Sequence, residues 1–513
     1  MKLMSSIKRL WGSRRRGEDR AGATGASPDE ELLAHSPYFD KIYYLETNPD
    51  VARAGVSPIA HFLASGAREG RNPSPSFDTT FYVDHYPDVA VSGMNPLMHF
   101  LRHGRHEGRI TTRPPSVSTS RIDHTEDAIA DWRRRNGTRP GVTETLFGCA
   151  DGRPCEEVVH VFSSITSSYL PKARVLAKSV KRQHPNWPFI IVLVDDPPPD
   201  LCLEREPFDR ILMPAELGIS DWKSWAFRHR VVEICTACKG PAAWQLFEQG
   251  VDKLIYLDPD TAVMNSLRPL AELLDRHPVI LTPHLLTAEP DLDAIRDNEI
   301  NILKHGVYNL GFFAVRNQGQ GRDFVSWWRT RLEHHCYVDY ANGLFTDQRW
   351  CDLAPALFDR LLILRDPGYN VASWNIAHRP LAIDPVAGIT ARGAPLRFYH
   401  FTGYDSGLGV DALSRLCAPD SSVWALWEWY AGALQRNGQQ EEGRMPWRLA
   451  TFDDGRLITD EMRLLYRVRQ DIQQVYPDPY STSGADGGYA RWWDDYGPGR
   501  AVRKGGSATS AGR

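Results

Sequence analysis

The sequence predicts an α/β domain built on a mainly parallel sheet with helices on both faces, joined to small helical N-terminal repeats and a helical C-terminal module. Three observations carry this. From residue 158 onward, short apolar runs alternate with stretches of helical character. Residues 39–71 return as residues 77–109. The chain is 513 residues long with 42% apolar and 11% aromatic residues, a globular composition too large for one ordinary core.

Residues 1–35 read as a basic, flexible start. Lys2, Lys8, Arg9, Arg14, Arg15 and Arg16 crowd it, and its apolar residues form no continuous signal core. No apolar run approaches the ~18 residues of a membrane span. The expectation is a cytoplasmic protein, with the basic start as a charged disordered tail and contact with the inner face of a membrane as the alternative. With 60 basic against 64 acidic side chains, the net charge of −4 offers no attraction to a polyanion, which excludes nucleic acid as a partner.

The two copies, "FDKIYYLETNPDVARAGVSPIAHFLASGAREGR" and "FDTTFYVDHYPDVAVSGMNPLMHFLRHGRHEGR", share 16 of 33 positions. In each, "PDVA" starts a helix that Gly55 or Gly93 stops, and Pro58 or Pro96 opens a second helix ended by Gly66 or Gly104. Residues 36–110 therefore read as two helical hairpins. His61 and His99 recur without a Cys or acidic neighbour, which favours packing over metal binding. These repeats resemble modules at the ends of bacterial polysaccharide glycosyltransferases, a resemblance that says nothing about chemistry; a stack of two helical hairpins more often presents a binding surface, here for a protein or membrane partner, than an active site.

Residues 111–155 are polar and lack periodicity, marking a linker. The α/β domain is expected over 156–435: "VVHVFSS" as a buried strand, "PKARVLAKSVKRQ" as a helix, then the strands "FIIVLVDD", "KLIYLD" and "VILTP" around the helical "HRVVEICTACKGPAAWQLFEQG". Eight scattered cysteines suggest no disulfide framework. Cys235 and Cys238 form a CxxC without a second pair and read as small core residues. "WALWEWYAGAL" reads as a helix with a core-facing indole stripe. Residues 436–500 read as the C-terminal module and 501–513 as a disordered tail.

The chemistry centres on "DKLIYLDPDTAVM". A strand ends in Asp258, Pro259 and Asp260, and in such sheets ligands sit beyond the carboxyl ends of strands. Extended i, i+2 residues share a side, so both carboxylates can face one hard divalent cation. Downstream come "YNLGFFAV", "FTDQRW" and "FYHFTG".

That ordered set resembles the GT-A glycosyltransferases, and within them family 8, over residues 157 to 405. The resemblance implies a GT-A-like (Rossmann-like) fold. It implies that Asp258, Asp260 and His400 bind a divalent metal, Mn2+ or Mg2+, with Asp258 also near the donor. Thr166 and Tyr169 would border the nucleotide base, and Lys239, Asn309 and Gly311 the donor. Asp347 would fix the sugar hydroxyls, and Gln348 would stabilise charge at the anomeric carbon.

Two departures stand out: "SSITSSY" lacks the family's Asp after the first strand, and "HFTGYDSG" lacks its Lys after the late His. The expected activity is metal-dependent transfer of a sugar, with retention, from a nucleotide-sugar (a UDP-sugar foremost) to a glycan or lipid-linked acceptor in bacterial surface polysaccharide synthesis. A sugar-phosphate nucleotidyltransferase and a non-catalytic scaffold are the rivals. The first lacks its early glycine-rich loop here, and the second conflicts with intact candidate ligands.

Overall fold

The computed structural model describes residues 27–112 and 158–498, except 35, 37, 87–88, 90–93, 106–108, 110, 385–387 and 485–486. Most of the basic start, nearly all of the linker and the tail 501–513 lie outside the described residues. The chain divides into two compact units, Met1–Pro115 and Ser116–Arg513.

In the first unit a helix stands ahead of each expected hairpin: Lys41–Thr47 precedes Pro49–Ala54 and Pro58–His61 in one copy, and Thr79–His85 precedes Pro96–His99 in the other, whose intervening "PDVA" stretch lies largely outside the described residues. The extra helices start because the repeated Asp caps them: Asp40 accepts from the N–H groups of Ile42 and Tyr43, and Asp78 from that of Phe81. Helix Pro28–Ala34, inside the stretch expected to be flexible, adds a fully buried Leu33 to the core. That core pairs equivalent residues, Phe39 with Phe77, Tyr44 with Tyr82, Val51 with Val89 and Phe62 with Phe100.

The repeated histidines are packing residues. His61 Nδ1 lies 3.0 Å from the Tyr44 hydroxyl and His99 Nδ1 3.3 Å from that of Tyr82. A Cβ at Gly66 or Gly104 would collide with the same hydroxyl, which is why glycine returns there.

The second unit is built on a seven-stranded sheet. Its strands include β1 (His160–Ile165), β2 (Phe189–Leu193), β3 (Arg210–Leu212), β4 (Lys253–Leu257), β6 (Val279–Pro283) and β7 (Tyr308–Arg316). β5 (Thr261–Val263) belongs to a smaller sheet. The order across the large sheet is Leu361–Ile363, β6, β7, β4, β1, β2, β3. Only β7 runs antiparallel to its neighbours, so the sheet is mainly parallel. Every residue of β1, β2 and β4 is buried, as expected of strands covered on both faces.

β1 is flanked by β2 on one side and β4 on the other, so the order reverses beside it. The crevice at the carboxyl ends of β1 and β4 is the topological switch point, where α/β sheets bind ligands. Asp258 follows β4 and Thr166 follows β1 into that crevice.

The C-terminal segment is helical over Asp460–Val468, Gln470–Val475 and Gly488–Tyr496. Leu449, Phe452, Tyr466, Tyr480, Tyr489 and Trp493 join the same apolar cluster as β1 and β2. Arg463 is buried there, its guanidinium donating to the carbonyls of Phe227, His229 and Leu449. The helix over "WALWEWYAGAL", Ser422–Gln435, buries Trp427 and leaves Trp424 half-buried.

Candidate metal centre

The two aspartates are held by a turn rather than by extended chain. The Thr261 N–H donates to the Asp258 carbonyl at 3.1 Å, and Pro259 supplies the fixed φ of the turn's second position. β7 and a distant strand then brace it. The Asp258 N–H donates to the Gly311 carbonyl at 2.8 Å, and the Asp260 carbonyl accepts from the Phe401 N–H at 2.7 Å.

That distant strand is Phe398–His400, which pairs antiparallel with β5 and sets His400 opposite Thr261. One ligand atom from each of Asp258, Asp260 and His400 falls within 4.8 Å of the others. Among the described residues this is the group whose side chains can share a metal ion.

Packing fixes the imidazole. A Cβ on residue 311 would lie 2.5 Å from His400 Cε1, so only glycine leaves room for the ring. Trp374 meets the ring edge-on at 5.2 Å.

His400 Nε2 sits 3.1 Å from Asp260 Oδ1 and 3.9 Å from Asp258 Oδ2. Burial opposes charge on the ring, but the Asp260 carboxylate outweighs it and raises the pKa. In return, burial would raise the Asp260 carboxyl and the imidazolium holds it below its ordinary value. An ion held by these three residues would meet the imidazole in its neutral form, taking the place of the proton on Nε2. Two carboxylates and one imidazole form a donor set that could hold a divalent cation.

Lys239, 19 residues before Asp258 in sequence, begins the helix Lys239–Glu248 and reaches the same corner. Its Nζ lies 2.8 Å from Asp347 and 3.3 Å from Asp258, and donates to the Leu310 carbonyl at 2.9 Å. Lys239 and Asp347 are each only 2% exposed. Burial works against the ammonium, and the two carboxylates more than restore it, raising its pKa. Burial also raises the Asp347 carboxyl, an effect the ammonium partly offsets.

The remaining predicted residues divide. Asn309 is a brace, its Oδ1 accepting from the Gly311 N–H at 3.1 Å and from Asn370 at 3.0 Å. Gln348 points its amide to the end of a neighbouring helix, where Nε2 donates to the His305 carbonyl at 2.9 Å. Thr166 Oγ1 is 3.0 Å from Ser168 Oγ, and the Tyr169 hydroxyl donates to Asp405 at 3.2 Å.

Several site residues went unread in the sequence. Tyr256 donates its hydroxyl to Asp258 Oδ1 at 2.6 Å, and strand periodicity could have found it, since residues 256 and 258 share a face. Thr346 holds Asp347 with a 3.1 Å bond while adopting φ +44°, a left-handed conformation costly for a β-branched residue. Lys172 and Asp405, paired at 2.6 Å, carry no local signal. A cavity of about 730 Å³ between the helices Leu170–Gln183 and Ser422–Gln435 contains none of the predicted site residues.

No family model matches the chain. Two uncharacterized proteins of Bacillus subtilis (strain 168) are similar in sequence: YfnF at 26% identity over 156 residues, 30% of this chain and 50% of that protein, and YfnD at 29% over 101 residues, 19% and 32%. The chain thus spans half or less of the length of these curated relatives. Among solved structures it is similar to the galactosyltransferase LgtC in complex with donor and acceptor sugar analogs, at TM-score 0.33 and 18% identity over 53% of this chain and 99% of that one. The glycosyltransferase GlyE of Streptococcus pneumoniae TIGR4 matches at TM-score 0.33 and 15% identity, over 57% and 66%. Mouse xyloside xylosyltransferase 1 matches at TM-score 0.30 and 14% identity, over 48% and 98%.

Proposed function

We propose that the protein is a metal-dependent glycosyltransferase of the GT-A, family 8-like kind. It transfers a hexose from a nucleoside diphosphate sugar, a UDP-sugar foremost, to a glycan or lipid-linked acceptor in surface polysaccharide synthesis. One observation carries this reading: ligand atoms of Asp258, Asp260 and His400, residues separated by as much as 142 positions, come within 4.8 Å at the switch point of a mainly parallel sheet. Sugar nucleotides need that combination of a strand-end crevice and a hard-cation seat.

Asp258, Asp260 and His400 hold the ion, and a bound divalent ion supplies neutralising charge to the diphosphate as it leaves. Lys239 adds a buried positive charge beside Asp258. Asp347, fixed by Lys239 and Thr346, accepts sugar hydroxyls. Gln348 lies next to it in the chain and offers its amide oxygen to positive charge at the anomeric carbon. Retention of configuration follows from the family resemblance, and an inverted product removes Gln348 from that role. Thr166 and Tyr169, at the end of β1, line the base side.

The test is a screen of nucleotide-sugars for manganese-dependent thermal stabilisation and hydrolysis. Release of nucleoside diphosphate supports the transferase, release of pyrophosphate supports a nucleotidyltransferase, and no metal-dependent response to any donor leaves the scaffold reading.

A further inference from the structure

At the start of the helix that follows β1 lies a second buried cation that the proposed chemistry has not used. Lys172 sits in the first turn of the helix Leu170–Gln183, and its side chain is only 2% exposed. Its Nζ is 2.6 Å from Asp405 Oδ2 and 3.9 Å from the centroid of the Tyr169 ring.

Burying an ammonium is costly unless its partner is buried with it. Here the partner is not, because the Asp405 side chain is 46% exposed. Asp405 also rides on a short turn between Gly403 and Gly407, both left-handed at φ +73° and +74°. A wet carboxylate on a glycine-flanked turn is a replaceable counter-ion for a fixed, buried ammonium.

The helix that carries the lysine packs on β5, the strand directly after Asp260, where Ser179 Oγ accepts from the Val263 N–H at 2.9 Å. Burial and the imidazolium of His400 set the Asp260 carboxyl in opposite directions, and the charge of Lys172 adds to the lowering. The Asp260 charge also reaches Tyr169, whose hydroxyl shares Asp405 with Lys172. Lys239 thus stands beside Asp258, and Lys172 pairs with Asp405, five residues after His400 in the chain.

We propose that Lys172 is a diphosphate-binding residue of this site, held in place by Asp405 and Tyr169 until phosphate oxygens replace the Asp405 carboxylate. This rests on the nucleotide-sugar reading above. It also supplies the positive charge that the stretch after His400 lacks, from an element more than 200 residues earlier in the chain.

The experiment titrates the full-length protein and its Lys172→Met variant with Mn2+ alone, with Mn2+ plus uridine, and with Mn2+ plus UDP. A charge-assisted contact to phosphate is worth about 1.5–3 kcal/mol, so Lys172→Met weakens UDP by about 10- to 150-fold. Mn2+ alone binds the variant as tightly as the wild type or tighter, because a like charge near Asp260 is gone, and uridine binding is unchanged. A purely structural lysine would weaken all three together, which overturns the proposal, as does UDP affinity within twofold of wild type. Asp405→Asn provides the second arm: freeing Lys172 tightens UDP, and weakening it there also overturns the proposal. If the wild type binds none of UDP, GDP, ADP or CDP with Mn2+, the nucleotide-sugar reading itself fails and takes this inference with it.

Discussion

Two parallel strands, β2 and β4, each run into two aspartates at their carboxyl ends, and the two pairs do opposite things. After β2, Asp195 is buried among backbone donors: its Oδ2 accepts from Ser167 at 3.1 Å, and its Oδ1 from Arg448 at 3.0 Å and Asp196 at 3.1 Å. It ties the loop after β1 to the C-terminal segment, and burial pushes its carboxyl up to about 7. After β4, Asp258 and Asp260 face side chains instead, Lys239 and His400. A carboxylate whose oxygens are filled by N–H groups is a structural latch, whereas one facing exchangeable charge can take a metal. An acidic pair at a strand end is therefore only half a site, and its neighbours decide the other half.

The comparison breaks most sharply at the ligands. Asp258→Asn or Asp260→Asn should lower metal-dependent donor turnover by about 10³-fold, the rate equivalent of several kcal/mol of lost charge stabilisation, while leaving the thermal midpoint near wild type. Turnover within tenfold of wild type would put the cation seat elsewhere.

Lys239→Met should act on stability first. It leaves Asp347, 2% exposed, without its counter-charge, a loss of about 3–5 kcal/mol read by urea unfolding.

Gly311→Ala tests the cradle. The added Cβ, 2.5 Å from His400 Cε1, should displace the ring and weaken Mn2+ binding by about 10- to 100-fold in a calorimetric titration, with little effect on the Asp195 latch.

Asp195→Asn is the mildest change and should leave metal affinity unaltered. Replacing one acceptor oxygen orphans a backbone N–H, costing about 1–3 kcal/mol. Its signature is in pH. The folded pKa, raised from 3.8 to about 7, means the native state holds a proton that the unfolded chain has released across that window. The stabilisation is complete below about 4 and is lost as pH rises through 7. The variant should therefore show a flatter fall in stability between pH 4 and 7 than the wild type.

Much of this architecture was legible because it is local. Mostly apolar runs marked β2 and β4, since strands buried on both faces favour apolar residues, while β1 was legible from "VVHVF" although it also buries His160, Ser163 and Ser164. The 38-residue repeat offset announced two equivalent helical copies, although the helices over "KIYYLET" and "TTFYVDH" were missed, their start depending on caps from Asp40 and Asp78. Asp258 and Asp260 were visible as a strand-end pair, although as a turn they share a side for a different reason than the extended chain predicted.

The residues that were invisible are those whose role is set by a partner far away in the chain. Nothing around Lys172 announces Asp405, 233 positions later, and nothing in "LVDD" separates a latch from a ligand. By itself the sequence determined the layered α/β class, the duplicated helical unit and the candidate ligands, because burial pattern, helix punctuation and residue chemistry act over a few neighbouring positions. Only the tertiary structure decided that β5 pairs with Phe398–His400, that Gly311 makes room for the imidazole, that Lys239 meets Asp258 and that Lys172 meets Asp405. Charge and close packing act through space, and the chain's order does not encode which side chains will meet.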